Sequence, residues 1–292
     1  MPNDFLITRK QALRMSAMAV VGLPLLRSTA RSAATDSIGG ADLKPSLPLG
    51  LWVASVSLTK QTVDEVIVAV QKLKISNVAL FHTHCPWDGT PDQCAAVAKK
   101  FHDVGIAVTG TGVIALTADE AKTRQAFINC KAAGVLTMVA KPDRNALPLV
   151  DRLVKEYDLK VAVHNHGPED KDYSSPRDIW LALQGHDPRF GMCLDVGHSA
   201  RAGHDPIEVI RECHDRLLDI HMKDSLAVAG AMKDRAVVIG HGHLDIHGIL
   251  AALVEFKYSH LIGFEYEEVV PDKVTGLAES VGYVRGQLAS LT

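Results

Sequence analysis

The chain has 292 residues, of which 47% are hydrophobic, 22% charged and only 5% aromatic, and its formal net charge is −3. Nearly balanced charge without a basic stripe argues against a nucleic-acid partner, because neutralising phosphates requires clustered Lys and Arg, and few aromatics leave few platforms for base stacking. The length suits one large α/β domain, for which about 250 residues is typical.

The first residues are typical of an export signal. Basic residues precede an apolar stretch, Met15–Leu26, and small residues follow in Ser28–Ala34. The apolar stretch is shorter than the roughly 20 residues that a membrane-spanning helix needs. Thr8–Arg14 resembles a twin-arginine signal in which Lys10 stands for the second arginine; a general secretory signal and an uncleaved anchor are the alternatives. The predicted organisation is an export signal (residues 1–34), a linker (35–46) and one folded domain (47–292).

The cysteines bear on the cellular compartment. They are 5 in number and lack the spacing of a disulfide scaffold or a zinc site. Unpaired thiols in an exported protein are compatible with folding in the reducing cytosol before export, which the twin-arginine route allows. We therefore expect a periplasmic protein with no stable membrane association after export. The residues are Cys85, Cys94, Cys130, Cys193 and Cys213.

From about residue 47 onwards, strand-like and helix-like segments alternate at about the length of one βα unit. No Gly-rich dinucleotide fingerprint follows the first strand. Eight such units predict a (β/α)8 TIM barrel of the α/β class, and a doubly wound parallel sheet is the alternative. The predicted strands are Leu49–Ser55, Asn77–His82, Ala107–Gly112, Val135–Ala140, Lys160–Asn165, Phe190–Asp195, Leu217–Met222 and Leu261–Glu265.

Between the strands, apolar residues recur at helical spacing, for example in Thr62–Leu73 and Ala118–Ala133. Thr62 and Thr117 stand at the start of these stretches and are the predicted N-caps. The interval before the last strand is longer than the others. We expect Ser225–His247 to form an extended loop over the functional site.

Four strand-like runs in the second half of the chain each begin with apolar residues and end in potential metal ligands. Because side chains alternate along a strand, the ligand-type residues share a face with small residues, while bulky apolar residues face the helices. Active sites of barrels lie at the carboxyl ends of the strands. We therefore predict one shared site, with solvent-facing strand ends as the alternative. The runs are Lys160–His166, Phe190–His198, Leu217–Asp224 and His260–Glu267.

Four motifs in these runs carry a family resemblance. They are HNHGPED (residues 164–170), LDVGH (194–198), DIHMKD (219–224) and GFEYE (263–267). Together they resemble the xylose isomerase-like TIM barrel superfamily, which includes sugar isomerases, sugar 3-epimerases, inosose dehydratase-like enzymes and endonuclease IV. The resemblance covers most of residues 47–290 and implies the barrel fold of that superfamily.

The resemblance also implies a metal site. Sugar epimerases of the superfamily hold one divalent ion with Glu, Asp, His and Glu from strands five to eight, and the matching positions here are His164, Asp195, His221 and Glu265. His164 replaces a glutamate that also serves as acid/base, so a two-carboxylate mechanism is not expected. Two imidazoles and two carboxylates suit Mn, Co, Zn or Fe better than Ca.

The His-Asn-His variant resembles exported members of the superfamily called sugar phosphate isomerase/epimerase, and some relatives of that type act as lyases on 3-keto-glycosides. A chelated ketone is polarised, which acidifies the adjacent C–H and stabilises the enediolate formed when a base removes the proton. Isomerisation, epimerisation and β-elimination share this step and differ in the fate of the enediolate. Export favours the lyase, because free-sugar isomerisation usually serves cytosolic metabolism.

Further residues of the four runs are candidates for catalysis and binding. His166 is the predicted base and Glu267 its alternative, and either could instead orient a metal ligand. His198 is expected to contact substrate oxygens or the ion. Lys223 is expected to stabilise an oxyanion or to pair with Asp224.

Other candidates lie outside these runs. His84, at the end of the second strand, is the predicted acid for a leaving group, and His82 is expected to be structural. Trp87 and Trp52 are predicted to stack on the sugar, with filling of the barrel mouth as the alternative for Trp52. His243, in the long loop, is expected to close over the substrate.

These observations predict a metal-dependent sugar isomerase, epimerase or 3-keto-glycoside lyase with one divalent ion. No phosphate cradle is evident, and Lys141 and Arg144 are explained equally well by salt bridges, so we expect a neutral sugar or glycoside as substrate. A non-catalytic carbohydrate-binding barrel is the alternative, supported by the missing glutamate. A DNA-repair nuclease like endonuclease IV would need a multi-metal cluster and a basic groove. The sequence does not exclude an oligomer.

Overall fold

The computed structural model of the chain describes residues 47–268 and 270–291. The predicted export signal and linker lie outside these residues. Within the described ranges, no helix combines the length and the apolar character that crossing a lipid bilayer requires.

Parallel strands form a closed barrel. The barrel strands are β1 (Gly50–Ala54), β2 (Asn77–Leu80), β3 (Ala107–Thr111), β4 (Thr137–Pro142), β5 (Lys160–His164), β6 (Phe190–Asp195), β7 (Leu217–Met222) and β8 (Leu261–Phe264). Each strand pairs with its neighbours in chain order, β8 pairs with β1, and Gly110 of β3 opposite Thr137 of β4 completes the ring. The predicted (β/α)8 barrel is confirmed. The doubly wound alternative is wrong, because an open sheet would leave two strand edges unpaired.

The bounds of the strands follow the sequence prediction closely. β6 and β7 match it residue for residue. β4 begins at Thr137 rather than Val135, because the Val135 amide donates to the Cys130 carbonyl in the turn that ends the preceding helix. Gly134 has a φ of 73° in that turn, which glycine adopts without steric cost.

Helices alternate with the strands along the chain. Those in the described part of the chain are α1 (Val63–Lys72), α2 (Pro91–His102), α3 (Glu120–Ala132), α4 (Leu147–Tyr157), α5 (Pro176–Ala182), α6 (Val196–Arg201), α7 (Pro206–Cys213), α8 (Ile246–Glu255) and α9 (Lys273–Ala289). The Thr62 N-cap is confirmed, since its hydroxyl accepts the Glu65 amide and the Glu65 carboxylate accepts the Thr62 amide. Thr117 is wrong as the cap of α3, because the Asp119 carboxylate accepts the first free amides of that helix.

The barrel interior below the site is filled by apolar side chains, many of them small. The predicted alternation is confirmed in β5 and β6, because Ala162 lies on the same face of β5 as His164, and Cys193 lies on the same face of β6 as Asp195. β7 departs from it, because its register with β6 shifts and Leu218 packs with these interior residues. Bulkier side chains on the other face join the main core, which lies between strands and helices. The two interior clusters comprise Val139, Ala162, Cys193 and Leu218, and Trp52, Ala54 and Ala79.

The segment predicted as an extended loop, Ser225–His247, is more regular than expected. Asp224–Ser225 pairs antiparallel with Ala236–Val237, and α8 begins before the predicted end of the loop. A three-residue strand, Ile114–Leu116, also extends the sheet beside β4. Both additions lie beyond the carboxyl ends of barrel strands and shape the rim of the site.

Asp224 anchors the long segment, because its buried carboxylate accepts hydrogen bonds from the amides of Gly240, Gly242 and Leu244. Replacing Asp224 by alanine is expected to lower the free energy of unfolding by about 2–4 kcal/mol, since several charge-assisted hydrogen bonds are lost together. Chemical denaturation measures the change. Asp103→Ala removes only an exposed helical ion pair and should cost less than about 1 kcal/mol. Equal costs for the two variants would contradict the anchoring role.

Candidate functional site

The four predicted metal ligands meet at the carboxyl end of the barrel. His164 ends β5, Asp195 ends β6, His221 lies in β7 and Glu265 directly follows β8. One potential ligand atom of each lies within 4.8 Å of those of the other three. All four side chains are buried or nearly so. These four residues are the four-donor centre.

The distances within the four-donor centre are those expected around one small cation. His221 Nδ1 lies 2.8 Å from Glu265 Oε2 and 3.1 Å from His164 Nε2. His164 Nε2 lies 3.6 Å from Asp195 Oδ2. Bonds of about 2.0–2.2 Å from a metal place neighbouring ligand atoms roughly 3–3.5 Å apart. The centre therefore needs little rearrangement to hold a first-row divalent ion.

Two of the four donors are in protonation states that suit a cation. Burial lowers the pKa of His164 to about 3, so this imidazole is uncharged and keeps a lone pair. Burial opposes the ionisation of Asp195, but His198 and Lys223 outweigh it and hold its pKa well below the usual range. Asp195 Oδ2 is buried, and the Lys223 ammonium lies 2.9 Å from it. A carboxylate oxygen has two lone pairs, so Asp195 can still ligate an ion beside this ammonium, and the mixed nitrogen and oxygen donors of the centre fit a first-row metal.

A second set of potential ligands overlaps the first. His164, Cys193 and His221 also bring their donor atoms within 4.8 Å of one another. Burial raises the pKa of the Cys193 thiol well above its ordinary value, and a protonated thiol is a poor ligand. Both groups of potential ligands found among the described residues contain His164 and His221, so they define a single metal centre. The group with Asp195 and Glu265 is the preferred ligand set.

Lys223 lies beside the four-donor centre and not beside Asp224. Its buried ammonium is 2.9 Å from Asp195 Oδ2, 3.4 Å from Glu265 Oε2 and 3.0 Å from Glu267 Oε2. The predicted pairing with Asp224 is wrong, because that carboxylate faces the backbone of the long segment. Burial works against the charge of Lys223, but the three carboxylates raise its pKa well above the ordinary value. Lys223 therefore supplies a permanent positive charge that balances the acidic ligands.

His166 stands at the rim of the centre. Its ring centroid is 4.6 Å from that of His164, and its Nδ1 lies 3.1 Å from Asp170 Oδ2. Burial lowers the pKa of His166, so the ring is uncharged and free to accept a proton. Lys141 Nζ lies 2.6 Å from the same Asp170 oxygen. The salt-bridge alternative for Lys141 is thus confirmed. The sequence analysis did not single out Asp170, although it lies four residues after His166 in the HNHGPED motif.

An arginine fixes one ring nitrogen of His198. Buried Arg201 forms a two-point ion pair with Glu169, with distances of 2.6 and 2.7 Å, and its Nη2 lies 3.0 Å from His198 Nδ1. A guanidinium only donates, so His198 Nδ1 accepts and the neutral ring carries its hydrogen on Nε2. His198 Nε2 faces the centre, 3.9 Å from Asp195 Oδ2. Because a protonated nitrogen does not ligate a metal, the geometry favours substrate contact, one of the two predicted roles.

Replacing Arg201 by methionine is expected to free His198 Nδ1 and shift the ring towards its Nδ1–H tautomer. The ¹⁵N chemical shifts of the ring nitrogens report this directly, while metal content should stay at the wild-type level. We expect turnover to fall about 10–100-fold, as is usual when the support of a site residue is lost. Arg189→Met, which breaks an equivalent pair with Asp187, is the control and should leave the His198 spectrum unchanged. A protonated Nδ1 in the wild-type protein would contradict the assignment.

The structure does not bring His84, the predicted acid, to the centre. His84 is buried, with Nδ1 2.9 Å from Ser55 Oγ and Nε2 3.0 Å from the Gln61 carbonyl. Both ring nitrogens are thus engaged in holding the β1 and β2 loops together. His82, expected to be structural, is exposed instead, and its ring lies 4.0 Å from that of Phe81. His84 thus has the structural role that was expected of His82, because β2 ends at Leu80 and strand alternation stops there.

The two predicted stacking tryptophans differ in position. Trp52 is 2% exposed, its Nε1 donates to Asp219 Oδ1 at 3.1 Å, and its ring meets the edge of the His221 ring at 5.2 Å. It therefore fills the barrel below the centre, which was the alternative prediction. Trp87 is also buried and donates to the Leu80 carbonyl, but it lines a cavity beside the site.

His243 does not close over the four-donor centre. It is exposed and lines a cavity of about 590 Å³ together with His204 and residues of the long segment. No lining residue of that cavity belongs to the centre. Its neighbour His241 is held outside the barrel, with Nε2 2.9 Å from Glu279 of α9. Glu267, the alternative base, is 41% exposed at the rim and paired with Lys223.

Known proteins resemble this chain in sequence over part of its length. Residues 144–287 match the family model of the xylose isomerase-like TIM barrel. A probable endonuclease 4 of Streptomyces coelicolor is 34% identical over 113 residues, 34% of this chain and 38% of that protein. An inosose dehydratase of Clostridium tetani is 27% identical over 131 residues, 40% of this chain and 43% of that protein. The chain thus spans less than half the length of these curated relatives.

Solved structures share the fold over most of their length. The 3-keto-D-glucoside 4-epimerase of E. coli matches with a TM-score of 0.65 and 12% identity, over 82% of this chain and 99% of the other. The IOLI protein, solved with a zinc atom, matches with a TM-score of 0.66 and 16% identity, over 83% and 98%. At these identities the likeness shows the fold alone. The match to the family model over residues 144–287 and the shared barrel fold confirm the resemblance to the xylose isomerase-like TIM barrel that the motifs predicted.

Proposed function

We propose that the chain is a divalent-metal-dependent enzyme that acts next to a sugar carbonyl, and specifically a lyase on 3-keto-glycosides. The observation that carries the proposal is the four-donor centre with two further histidines, His166 and His198, turned towards it. Related proteins bear the names inosose dehydratase and 3-keto-D-glucoside 4-epimerase, which supports chemistry beside a ring ketone.

The proposed division of labour follows from the geometry. A divalent ion in the four-donor centre would polarise the ketone oxygen and stabilise the enediolate. His166, which is uncharged and whose Nδ1 lies 3.1 Å from Asp170 Oδ2, removes the proton from the carbon next to the carbonyl. His198 donates its Nε2 hydrogen to a substrate oxygen that gains negative charge. Lys223 stays in its ion pairs and balances the charge of the carboxylates.

The reaction is a lyase reaction if the substrate carries a leaving group on C1, the carbon next to the one that loses its proton. His166 takes the C2 proton of a 3-keto-glycoside, and the enediolate spans C2 and C3. The electron pair then forms the C1–C2 double bond while the C1–O bond breaks and the leaving group departs with its electrons. Return of the proton without bond cleavage gives an isomerase or epimerase from the same residues.

The experiment is to incubate the metal-loaded protein with a 3-keto-glucoside and identify the products by NMR. Leaving-group release with a 1,2-unsaturated product is the expected result. An epimer or a new ketose without release would move the assignment to an epimerase or isomerase. No conversion of any substrate, with metal bound, would favour the non-catalytic carbohydrate-binding barrel.

The likeness to endonuclease 4 does not by itself favour a nucleic-acid substrate. It spans 38% of that protein. Among the residues that the structure describes, the two groups of potential metal ligands share His164 and His221 and so form one centre. The formal net charge of the chain is −3. A phosphodiester substrate would be better served by a basic groove. These features support a small neutral sugar as the substrate class.

We also propose export by the twin-arginine route and action in the periplasm. The five cysteines are all buried and unpaired, which suits folding before export. Replacing Arg9 by lysine in the full chain is expected to keep the protein out of the periplasmic fraction of a bacterial host, because that route requires the arginine. Undiminished export of the variant would assign the general secretory route instead.

A further inference from the structure

Two cavities adjoin beside the four-donor centre. The inner cavity, of about 40 Å³, is bounded by His221 and Glu265 of the centre and by Trp52. The lateral cavity, of about 540 Å³, lies between the loop after β2 and the start of α3. Gly112 and Val113 line both cavities. The lateral cavity therefore adjoins the inner cavity at these two residues.

The lateral cavity is mostly apolar. Two polar side chains that line it are already engaged: Thr123 Oγ1 donates to the Thr117 carbonyl at 2.7 Å, and Gln125 Nε2 donates to Asn129 Oδ1 at 2.9 Å. Asp88 and Lys122 are exposed at its rim. A sugar would leave its hydroxyls short of partners here, whereas an apolar group would not. The apolar lining consists of Pro86, Trp87, Gly112, Val113, Ile114, Ala115 and Ala126.

Aromatic rings form one side of this space. The Trp87 ring is fixed by its hydrogen bond to the Leu80 carbonyl, and the His82 ring lies 4.0 Å from that of Phe81. Gly112 permits this arrangement, because a Cβ there would lie 2.4 Å from the Phe81 ring. Flat rings at a cavity wall favour a planar occupant.

We propose that the lateral cavity binds the leaving group of the glycoside, and that this group is apolar and planar, such as an aryl aglycone. The inference rests on the proposed function and adds the substrate class to it. With the sugar ring over the four-donor centre, the group on C1 extends past Val113 into the lateral cavity. The volume lies within the roughly 300–1,000 Å³ of sites for ligands of that size.

The other large cavity does not serve this purpose. The cavity beside His243 has a similar volume of about 590 Å³, but it shares no lining residue with the inner cavity. Of these two large cavities, only the lateral one adjoins the inner cavity beside the four-donor centre.

The test compares binding of 4-nitrophenyl β-D-glucoside and methyl β-D-glucoside to the metal-loaded protein by calorimetry. We expect the aryl glucoside to bind at least about tenfold more tightly. Ala115→Trp, which fills the lateral cavity from an exposed position, should remove this preference. Ala118→Trp is the matched control, exposed but outside the lining, and should keep it. Equal affinities of the wild-type protein for the two glucosides would overturn the proposal. A preference for the aryl glucoside that persists in Ala115→Trp would overturn it as well.

Turnover of the corresponding 3-keto-glucosides separates this inference from the proposed function. Release from both substrates at equal rates, unaffected by Ala115→Trp, would keep the lyase and overturn the leaving-group site. An aryl preference in binding that Ala115→Trp removes, with no turnover of either substrate, would keep the site and overturn the lyase.

Discussion

Replacing Asp195 by asparagine is expected to lower the metal affinity of the protein by more than about 1,000-fold and to abolish turnover. Asp195 Oδ2 lies 3.6 Å from His164 Nε2 in the four-donor centre, and the Asp195 side chain is fully buried. Asparagine offers a neutral amide in place of the carboxylate. The change also leaves the Lys223 ammonium, 2.9 Å away, without one of its partners, so the local charge becomes unfavourable to a cation.

The choice of asparagine separates metal binding from folding. Asp195 Oδ1 accepts the His198 amide at 2.7 Å and caps α6, and the asparagine oxygen retains this bond. The control is Asp219→Asn, a buried carboxylate below the centre that accepts from Trp52 and belongs to neither ligand group. Metal content of the purified proteins, measured by elemental analysis, should be near zero only for Asp195→Asn. Full metal content in that variant would contradict the ligand set.

Replacing His166 by alanine is expected to lower kcat about 100- to 10,000-fold while metal content is retained. His166 is placed to accept a proton, because burial lowers its pKa and its ring centroid lies 4.6 Å from that of His164. It is not a member of the four-donor centre, so its loss should leave the ion in place. Single-turnover rates on a 3-keto-glucoside measure the effect.

Two further variants make the His166 result specific. His260→Ala removes a histidine that precedes β8 and lies beside Lys160 at the opposite end of the barrel, and it should leave kcat unchanged. Glu267→Gln tests the alternative base. A larger loss of kcat for Glu267→Gln than for His166→Ala would transfer the role to the glutamate.

Regular structure made the barrel and its ligands predictable. Alternation along β5 to β8 places His164, Asp195 and His221 on one face above small residues, and parallel strands bring such positions together. The register of β6 against β7, with Asp195 opposite His221, bears out this inference. Strand periodicity predicted one shared site, and the resemblance of the motifs to the superfamily implied which four residues form the four-donor centre.

Residues beyond the strand ends were not predictable in the same way. His82 and His84 follow β2, where no periodicity fixes the direction of a side chain, and His84 proved to be structural and His82 exposed. The support of His198 by Arg201 and Glu169 joins a helix to a loop from a different βα unit. Contacts of that kind depend on tertiary packing, which a single sequence does not specify.

Proton exchange at the carbon next to the carbonyl tests the central claim most directly, because all three candidate reactions share that step. A 3-keto-glucoside in D2O is followed by ¹H NMR with the Zn²⁺-loaded protein, with the metal-stripped protein and with buffer alone. Loss of the C2 proton signal at least about 100-fold faster with the loaded protein than with either of the others is the predicted result. Equal rates with loaded and stripped protein, or no exchange while Zn²⁺ is demonstrably bound, would contradict metal-dependent chemistry at the four-donor centre.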